Sequence, residues 1–290
     1  MTSDPTRFQA EIAHAKAVTG DKASARQALE ALDFTTLKDG PKGQGAETKD
    51  ELAAFLDLAK ERPDGAHVAA VCVYPNKIRQ AQSALKGSGI GIATVVNFPQ
   101  ADHTLAKISQ DTRMAVKAGA TEIDVVMPFS PTDRQLDPVI RGAFVEAARE
   151  AAPDALLKVI IETNQLETYD AVYEASRAAI DAGADMVKTS TGKNDGDVTL
   201  EHAAAILAAI KDSGKDVGIK ISKGVKTNDQ AAQFMALADA VMGEGFAADP
   251  NKFRFGASGL RGDLVATLTP SAPGADAKPP ATKPGFGSDY

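Results

Sequence analysis

Short aliphatic runs of strand length alternate with amphipathic stretches of helical length along most of this chain. The runs are "FTTL", "HVAAVCVY", "IGIATVVNF", "EIDVVMP", "ALLKVIIE", "MVKTST", "VGIKIS" and "FRFGAS". Segments such as 137–151, 166–181, 199–211 and 227–240 lie between them and carry helical periodicity. A strand-then-helix unit repeated eight times across residues 33–269 predicts an α/β fold, a TIM (β/α)8 barrel. The alternative, an open doubly wound sheet, usually has fewer strands or a nucleotide fingerprint, and no fingerprint is present. "GSGIGI" at 87–92 does not match G-x-G-x-x-G. Around "GKN" at 192–194, Val187 stands where a Walker loop needs Gly, and Asn194 where it needs Ser or Thr. Residues 8–31 read as one extra N-terminal helix, so residues 1–32 form a helical segment ahead of the barrel. From Pro270 the chain turns to Pro, Gly, Ala, Ser and Lys. Such a composition buries too little apolar surface to order itself, and 270–290 is expected to be a flexible, disordered tail.

The pattern inside each strand assigns its two faces. Outer positions of a barrel strand meet helices and are aliphatic, and inner positions alternate with them. Ile123, Val125 and Met127 then face out, which leaves Asp124 inside; Leu157, Val159 and Ile161 leave Lys158 and Glu162 inside. Val217, Ile219 and Ile221 leave Lys220 and Ser222 inside, and Val187 leaves Lys188 and Ser190. The same rule turns Cys72, Arg254 and Ser258 inward. "AGATEIDVV" at 118–126 and "AGADMVKTS" at 182–190 echo each other, with Gly119 and Gly183 each five residues before the inward charge. Glycine there is the expected left-handed helix cap, and the echo sets Asp124 and Lys188 at the same depth.

Composition narrows the function classes. The chain has 290 residues, 43% hydrophobic and 5% aromatic without Trp, which suits helices on aliphatic strands. A net charge of −7 argues against non-specific nucleic-acid or anionic-membrane partners, so any anion site must be local. Cys72 is the single cysteine, which precludes a disulfide within the chain. No apolar run reaches membrane-spanning length, and residues 1–9 lack a signal peptide's hydrophobic region; a cytoplasmic protein is expected. His14, His67, His103 and His202 lack metal-ligand spacing, so neither a metal nor another cofactor is expected.

The inward charges carry the chemistry. An interior ion-pair network accounts for any one of them, but three lysines outnumber the carboxylates identified beside them. An ordinary lysine is neutral in about one molecule per few thousand at pH 7. Burial among other cations lowers a lysine pKa by up to about 3–5 units, and the free amine then attacks carbonyl carbon to give a Schiff base.

With those residues on the page, the chain resembles the class I 2-deoxyribose-5-phosphate aldolases. The carriers are "DFTTL", "CVYP", "VVNFP", "EIDVVMPF", "LKVIIET", "VKTSTGK", "GIKISKGVKT" and "FRFGAS", spread from Asp33 to Leu268. The resemblance implies reversible cleavage of 2-deoxy-D-ribose 5-phosphate to D-glyceraldehyde 3-phosphate and acetaldehyde, in deoxyribose phosphate catabolism. It implies that Lys188 is the Schiff-base lysine, Lys220 the second lysine that perturbs it, and Asp124 the proton-relay carboxylate. Lys158, Asp33, Thr35 and Cys72 match positions that line or support the substrate pocket. Thr191, Gly192, Lys193, Gly224, Val225, Lys226, Gly256 and Ser258 match the phosphate-holding loops after strands 6 to 8. Two departures affect that phosphate site. Lys223 replaces the first of two adjacent glycines, where it either supplies charge or points to solvent, and Gly259 replaces a serine. Tyr290 matches a terminal tyrosine that relays a proton from a flexible tail, against the plain reading of an inert end. A lysine aldolase for another sugar or sugar phosphate, and a silent barrel that senses sugar phosphate, are the rival readings. Partners are expected to be small sugar phosphates and aldehydes, with pairing into a homodimer or larger homo-oligomer.

Overall fold

The computed structural model describes residues 4–38, 47–129 and 137–270. Eight strands close into a parallel barrel in sequence order. They are β1 (Leu32–Thr36), β2 (Ala70–Val73), β3 (Gly91–Val96), β4 (Glu122–Val126), β5 (Leu156–Ile160), β6 (Met186–Lys188), β7 (Gly218–Ser222) and β8 (Phe253–Ala257). This is the TIM barrel that the alternating pattern predicts. The tail and Tyr290 lie outside the described residues.

Two helices, not one, precede the barrel: α1 (Gln9–Lys16) and α2 (Lys22–Glu30). The helical periodicity of 8–31 hides a break at Gly20. Its N–H donates to Asp229 Oδ1 at 2.6 Å, a partner more than two hundred residues away. Asp21 then starts α2 in a capping box with Ser24. Phe8, Ile12 and Ala15 pack into the same core as the barrel's outer face, so these helices are part of one hydrophobic unit.

The outer layer comprises α3 (Lys49–Lys60), α4 (Ile78–Ala84), α5 (Leu105–Ala118), α6 (Pro138–Ala151), α7 (Tyr169–Asp181), α8 (Leu200–Ser213), α9 (Asn228–Met242) and α10 (Leu260–Leu268). Thr48, Thr104, Thr168, Thr199 and Thr227 each accept a backbone N–H at the start of α3, α5, α7, α8 and α9, which fixes where those helices begin. Gly119 (φ +113°) and Gly183 (φ +99°) end α5 and α7 in the left-handed region, as the echo predicts.

The main core holds the outward strand residues Ile123, Val125, Leu157, Val159, Val187, Ile219, Ile221, Phe253 and Phe255 against the helices. The inward positions are different in kind. Leu37, Cys72, Ala93 and Val95, with Tyr74 and Phe98 over them, make a small apolar wall on the β1–β3 side. Ala101, Val126 and Ile160, with Phe98 and Phe129, make a second apolar patch, and charged residues occupy other inward positions.

Candidate active site

Seven charged side chains fill the middle and floor of the barrel. Four are cations, Lys158, Lys188, Lys220 and Arg254, and three are carboxylates, Asp33, Glu122 and Asp124. Each comes from an inward strand position, and none exposes more than 6% of its residue surface. Burial of this kind is tolerated only with dense pairing.

Asp124 is the hub. Its Oδ2 accepts from Lys188 Nζ and Lys220 Nζ, both at 2.8 Å, and its Oδ1 accepts from Lys158 Nζ at 3.0 Å. Lys220 also donates to Asp33 Oδ2 at 2.5 Å. Lys158 reaches Glu122 Oε2 at 2.5 Å and Asp33 Oδ2 at 3.2 Å. Arg254 closes the floor, with Nη1 2.5 Å from Asp33 Oδ1 and Nη2 3.3 Å from Glu122 Oε1.

The three lysines are therefore unequal. Lys158 has three carboxylates, Lys220 has two, and Lys188 has one, shared with Lys220. Burial pushes the Lys188 pKa down, Asp124 opposes that, and the neighbouring Lys220 cation pushes down again; the net shift is downward. Burial also pushes against charge at Lys220 and Lys158, but Asp124 and Asp33 outweigh it and raise both. Burial pushes the carboxyls of Asp124 and Asp33 up, and the cations around them more than reverse it, so both stay ionised. Arithmetic agrees with this ordering. Four cations face three carboxylates and Arg254 cannot give up its proton, so one neutral lysine balances the network, and Lys188, with the fewest carboxylates, is the one whose pKa is lowered.

Glycine makes the space. A Cβ on Gly256 would lie 2.5 Å from Ser222 Oγ and 2.8 Å from Lys220 Cε, so this inner position must be bare for Lys220 to reach Asp124. Ser222 Oγ is buried beside it with no hydrogen-bond partner among the described residues, as is Glu162 Oε1 at the end of β5. Glu162 holds the β6 exit instead, its Oε2 accepting from Thr191 N at 2.9 Å.

The remaining sequence-predicted residues fall into three places. Asp33 and Lys158 lie in the ionic network below Lys188, while Thr35 turns its hydroxyl onto the Asp33 carbonyl at 2.8 Å. Cys72 sits in the apolar wall, its thiol pushed up to about 11 by burial, with Asp124 adding to it. The loop residues cluster at the carboxyl ends of β6 to β8. Gly192 (φ +77°) and Gly224 (φ +89°) make left-handed turns there, Val225 is buried, and Lys226 is exposed. Lys193 Nζ donates to Leu37 O at 2.9 Å, tying the β6 loop to β1. Ser258 lies just before α10, whose start has no side-chain cap. Lys223 is half-buried. It adopts φ +70°, and its ammonium donates to the Asn194 carbonyl of the neighbouring loop.

Glu122 and Asp33 complete a balance that counting lysines against Asp124 alone misses. Their signal is present in the sequence: Glu122 has the parity of Asp124 within "EIDVV".

Residues 28–263 match the DeoC/LacD family aldolase profile. The chain belongs to that aldolase family. Solved structures agree on the fold. A protein from Coccidioides immitis, provisionally assigned as a deoxyribose-phosphate aldolase, is 24% identical, with a TM-score of 0.72 over 92% of this chain and 99% of that one. One from Toxoplasma gondii with the same provisional assignment is 25% identical, with a TM-score of 0.76 over 85% and 96%. The deoxyribose phosphate aldolase of Aeropyrum pernix, described as tetrameric, is 21% identical, with a TM-score of 0.69 over 89% and 97%.

Proposed function

We propose that this aldolase cleaves 2-deoxy-D-ribose 5-phosphate reversibly to D-glyceraldehyde 3-phosphate and acetaldehyde through a Schiff base on Lys188. One observation carries the reading: Lys188 is the buried lysine with a single, shared carboxylate partner, and its pKa is lowered while those of Lys220 and Lys158 are raised. A neutral amine at the inner end of a strand meets the aldehyde carbon of the open-chain sugar and loses water to give the imine. The protonated imine withdraws electrons from the adjacent carbon–carbon bond. The C3 hydroxyl loses its proton, the C2–C3 bond breaks, and an enamine remains on Lys188. Asp124, working with water, takes the first proton and returns one to the enamine carbon. Hydrolysis then frees Lys188 and acetaldehyde. Lys220 stays charged beside the amine throughout, and Asp33 and Lys158 hold the hub in place.

The phosphate is assigned to the loops containing Thr191, Gly192, Lys193, Gly224, Val225, Lys226, Gly256 and Ser258, with the uncapped amides at the start of α10. Cys72 and Thr35 are assigned to the pocket wall. A second reading, a different sugar or an unphosphorylated one, is favoured by Lys223, whose ammonium is held on Asn194 O, and by Gly259, which offers no hydroxyl. A homodimer or larger homo-oligomer is supported by exposed Leu105, Met114 and Val116 on α5 with Val139 and Ile140 on α6. The buried free thiol of Cys72 suits a cytoplasmic setting.

The test is retro-aldol turnover of deoxyribose with and without the 5-phosphate, in wild type and Lys188→Ala. Acetaldehyde with borohydride should add a reduced two-carbon group at Lys188. An adduct mapped to another lysine sinks the mechanism, and equal turnover of both sugars favours the second reading.

A further inference from the structure

We propose that Glu122 is a positioning residue for the lysine chemistry, acting from the floor of the barrel through Lys158 and Arg254 on the carboxylates that Lys188 and Lys220 share. The proposal rests on the Schiff-base reading for its purpose and on geometry for its content.

Glu122 is the first residue of β4 and lies one inward position below Asp124. Its two oxygens face different cations: Oε2 is 2.5 Å from Lys158 Nζ, and Oε1 is 3.3 Å from Arg254 Nη2. Lys158 donates onward to Asp124 Oδ1 at 3.0 Å, and Asp124 Oδ2 meets Lys188 Nζ at 2.8 Å. Arg254 grips Asp33, which in turn accepts from Lys220 at 2.5 Å. Two branches therefore leave one carboxylate, and they end on the two upper lysines. Without Glu122, Lys158 and Arg254 would both fall back on Asp33 and Asp124 and compete with Lys188 and Lys220 for them.

The chain has made room for this group. A Cβ on Gly91, at the start of β3, would lie 2.7 Å from Glu122 Oε1, and Ala70 is the next neighbour of that point. A cavity of about 440 Å³ opens beneath it, with Glu30, His67, Gly91, Glu122 and Arg254 in its lining. This is the end of the barrel opposite the carboxyl ends of the strands. The charged and titratable groups facing Glu122 are Lys158 from β5, Arg254 from β8 and Asp124 along its own strand, with Asp33 from β1 behind them and Glu30 and His67 across the cavity. Glu122 lies at the amino end of β4, away from the carboxyl ends of the strands, so its effect must travel by charge and by the placing of Asp124.

The test separates this role from the substrate reading by titrating Lys188 without any sugar. Lys188 acylation by acetic anhydride is followed across pH by mass spectrometry in wild type, Glu122→Gln and Glu122→Asp, with melting temperatures recorded alongside. Removing one negative charge from a buried network makes every lysine in it easier to deprotonate. The Glu122→Gln midpoint should fall by roughly one and a half pH units, for a unit charge about 8 Å away at an effective dielectric near 20. Glu122→Asp, which keeps the charge, should stay within a few tenths of wild type. Should Glu122→Gln fail to fold, Gly91→Ala displaces the same carboxylate and should lower the midpoint by a few tenths. A wild-type midpoint in folded Glu122→Gln, or in Gly91→Ala where that stand-in is needed, overturns the proposal. Absent sugar cleavage by wild type would instead overturn the substrate reading, with the Lys188 titration still deciding the role of Glu122.

Discussion

Asp124→Asn separates the nucleophile from its proton relay. The substitution keeps the shape of the hub but removes the charge that faces Lys188 at 2.8 Å, Lys220 at 2.8 Å and Lys158 at 3.0 Å. Breaking a fully buried pair typically costs about 3–5 kcal/mol, because the partner charges stay behind. At about 2–4 °C per kcal/mol for a domain of this size, the melting temperature should fall by on the order of 10 °C at pH 7. The sign with pH is fixed by the direction of the shift. Asp124 has a folded pKa below its unfolded one, so its stabilisation is present above pH 4 and is lost as pH falls through the folded value. The stability gap between wild type and Asp124→Asn should therefore narrow as pH falls below about 4. Chemistry should divide differently. Lys188 loses the group that raised its pKa and keeps the burial and the Lys220 cation that lower it, so its amine remains available. Borohydride trapping of acetaldehyde at Lys188 should persist, while turnover should drop by about 10²–10⁴-fold with the loss of acid–base catalysis. Trapping that disappears in step with turnover, in a folded protein, would refute the division. Turnover within threefold of wild type would place the relay elsewhere.

Lys158→Met removes a cation from the network without touching Lys188. The pH above which kcat/KM is maximal should rise by about one to two units, opposite in sign to the Glu122→Gln shift, and an unchanged pH profile would contradict the charge balance. Gly256→Ala places a methyl 2.8 Å from Lys220 Cε and 2.5 Å from Ser222 Oγ. Displacing Lys220 by about 1 Å should lower kcat by roughly 10–100-fold in steady-state assays, and a kcat within threefold of wild type would contradict that crowding. Cys72, with its thiol pushed up to about 11 by burial, should resist iodoacetamide at pH 8 in the folded state and react at once in denaturant. Labelling at equal rates in both states would contradict its burial.

Much of this site is legible in the sequence because a barrel strand has two chemically distinct faces. Outward Ile, Val and Leu give the parity, and the parity turns Asp124, Lys158, Lys188, Lys220 and Arg254 inward without reference to any contact. Glycine caps at Gly119 and Gly183 are legible for an equally local reason. Features set by distant partners are not. The break at Gly20 depends on Asp229, and the backbone of Lys223 at φ +70° accompanies a contact to Asn194. A left-handed non-glycine residue costs about 1–2 kcal/mol, which no local signal in "SKG" announces. The ordering of the three lysines is intermediate. Their inward direction is local, but their numbers of carboxylate neighbours follow from how the strands are staggered around the barrel.

That ordering makes a demand on Asp33. If carboxylate count selects the nucleophile, Lys220 is held back mainly by its second partner at 2.5 Å. Asp33→Asn would leave Lys220 with Asp124 alone, the same count as Lys188, and four cations would then face two carboxylates. A second lysine must give up its proton to restore balance, and Lys158, still bound to Glu122 and Asp124, is the poorer candidate. Acetaldehyde and borohydride should then yield a measurable share of adduct on Lys220, resolved from Lys188 by peptide mass spectrometry. An adduct confined to Lys188 in a folded Asp33→Asn protein would mean that access, rather than charge, chooses the nucleophile.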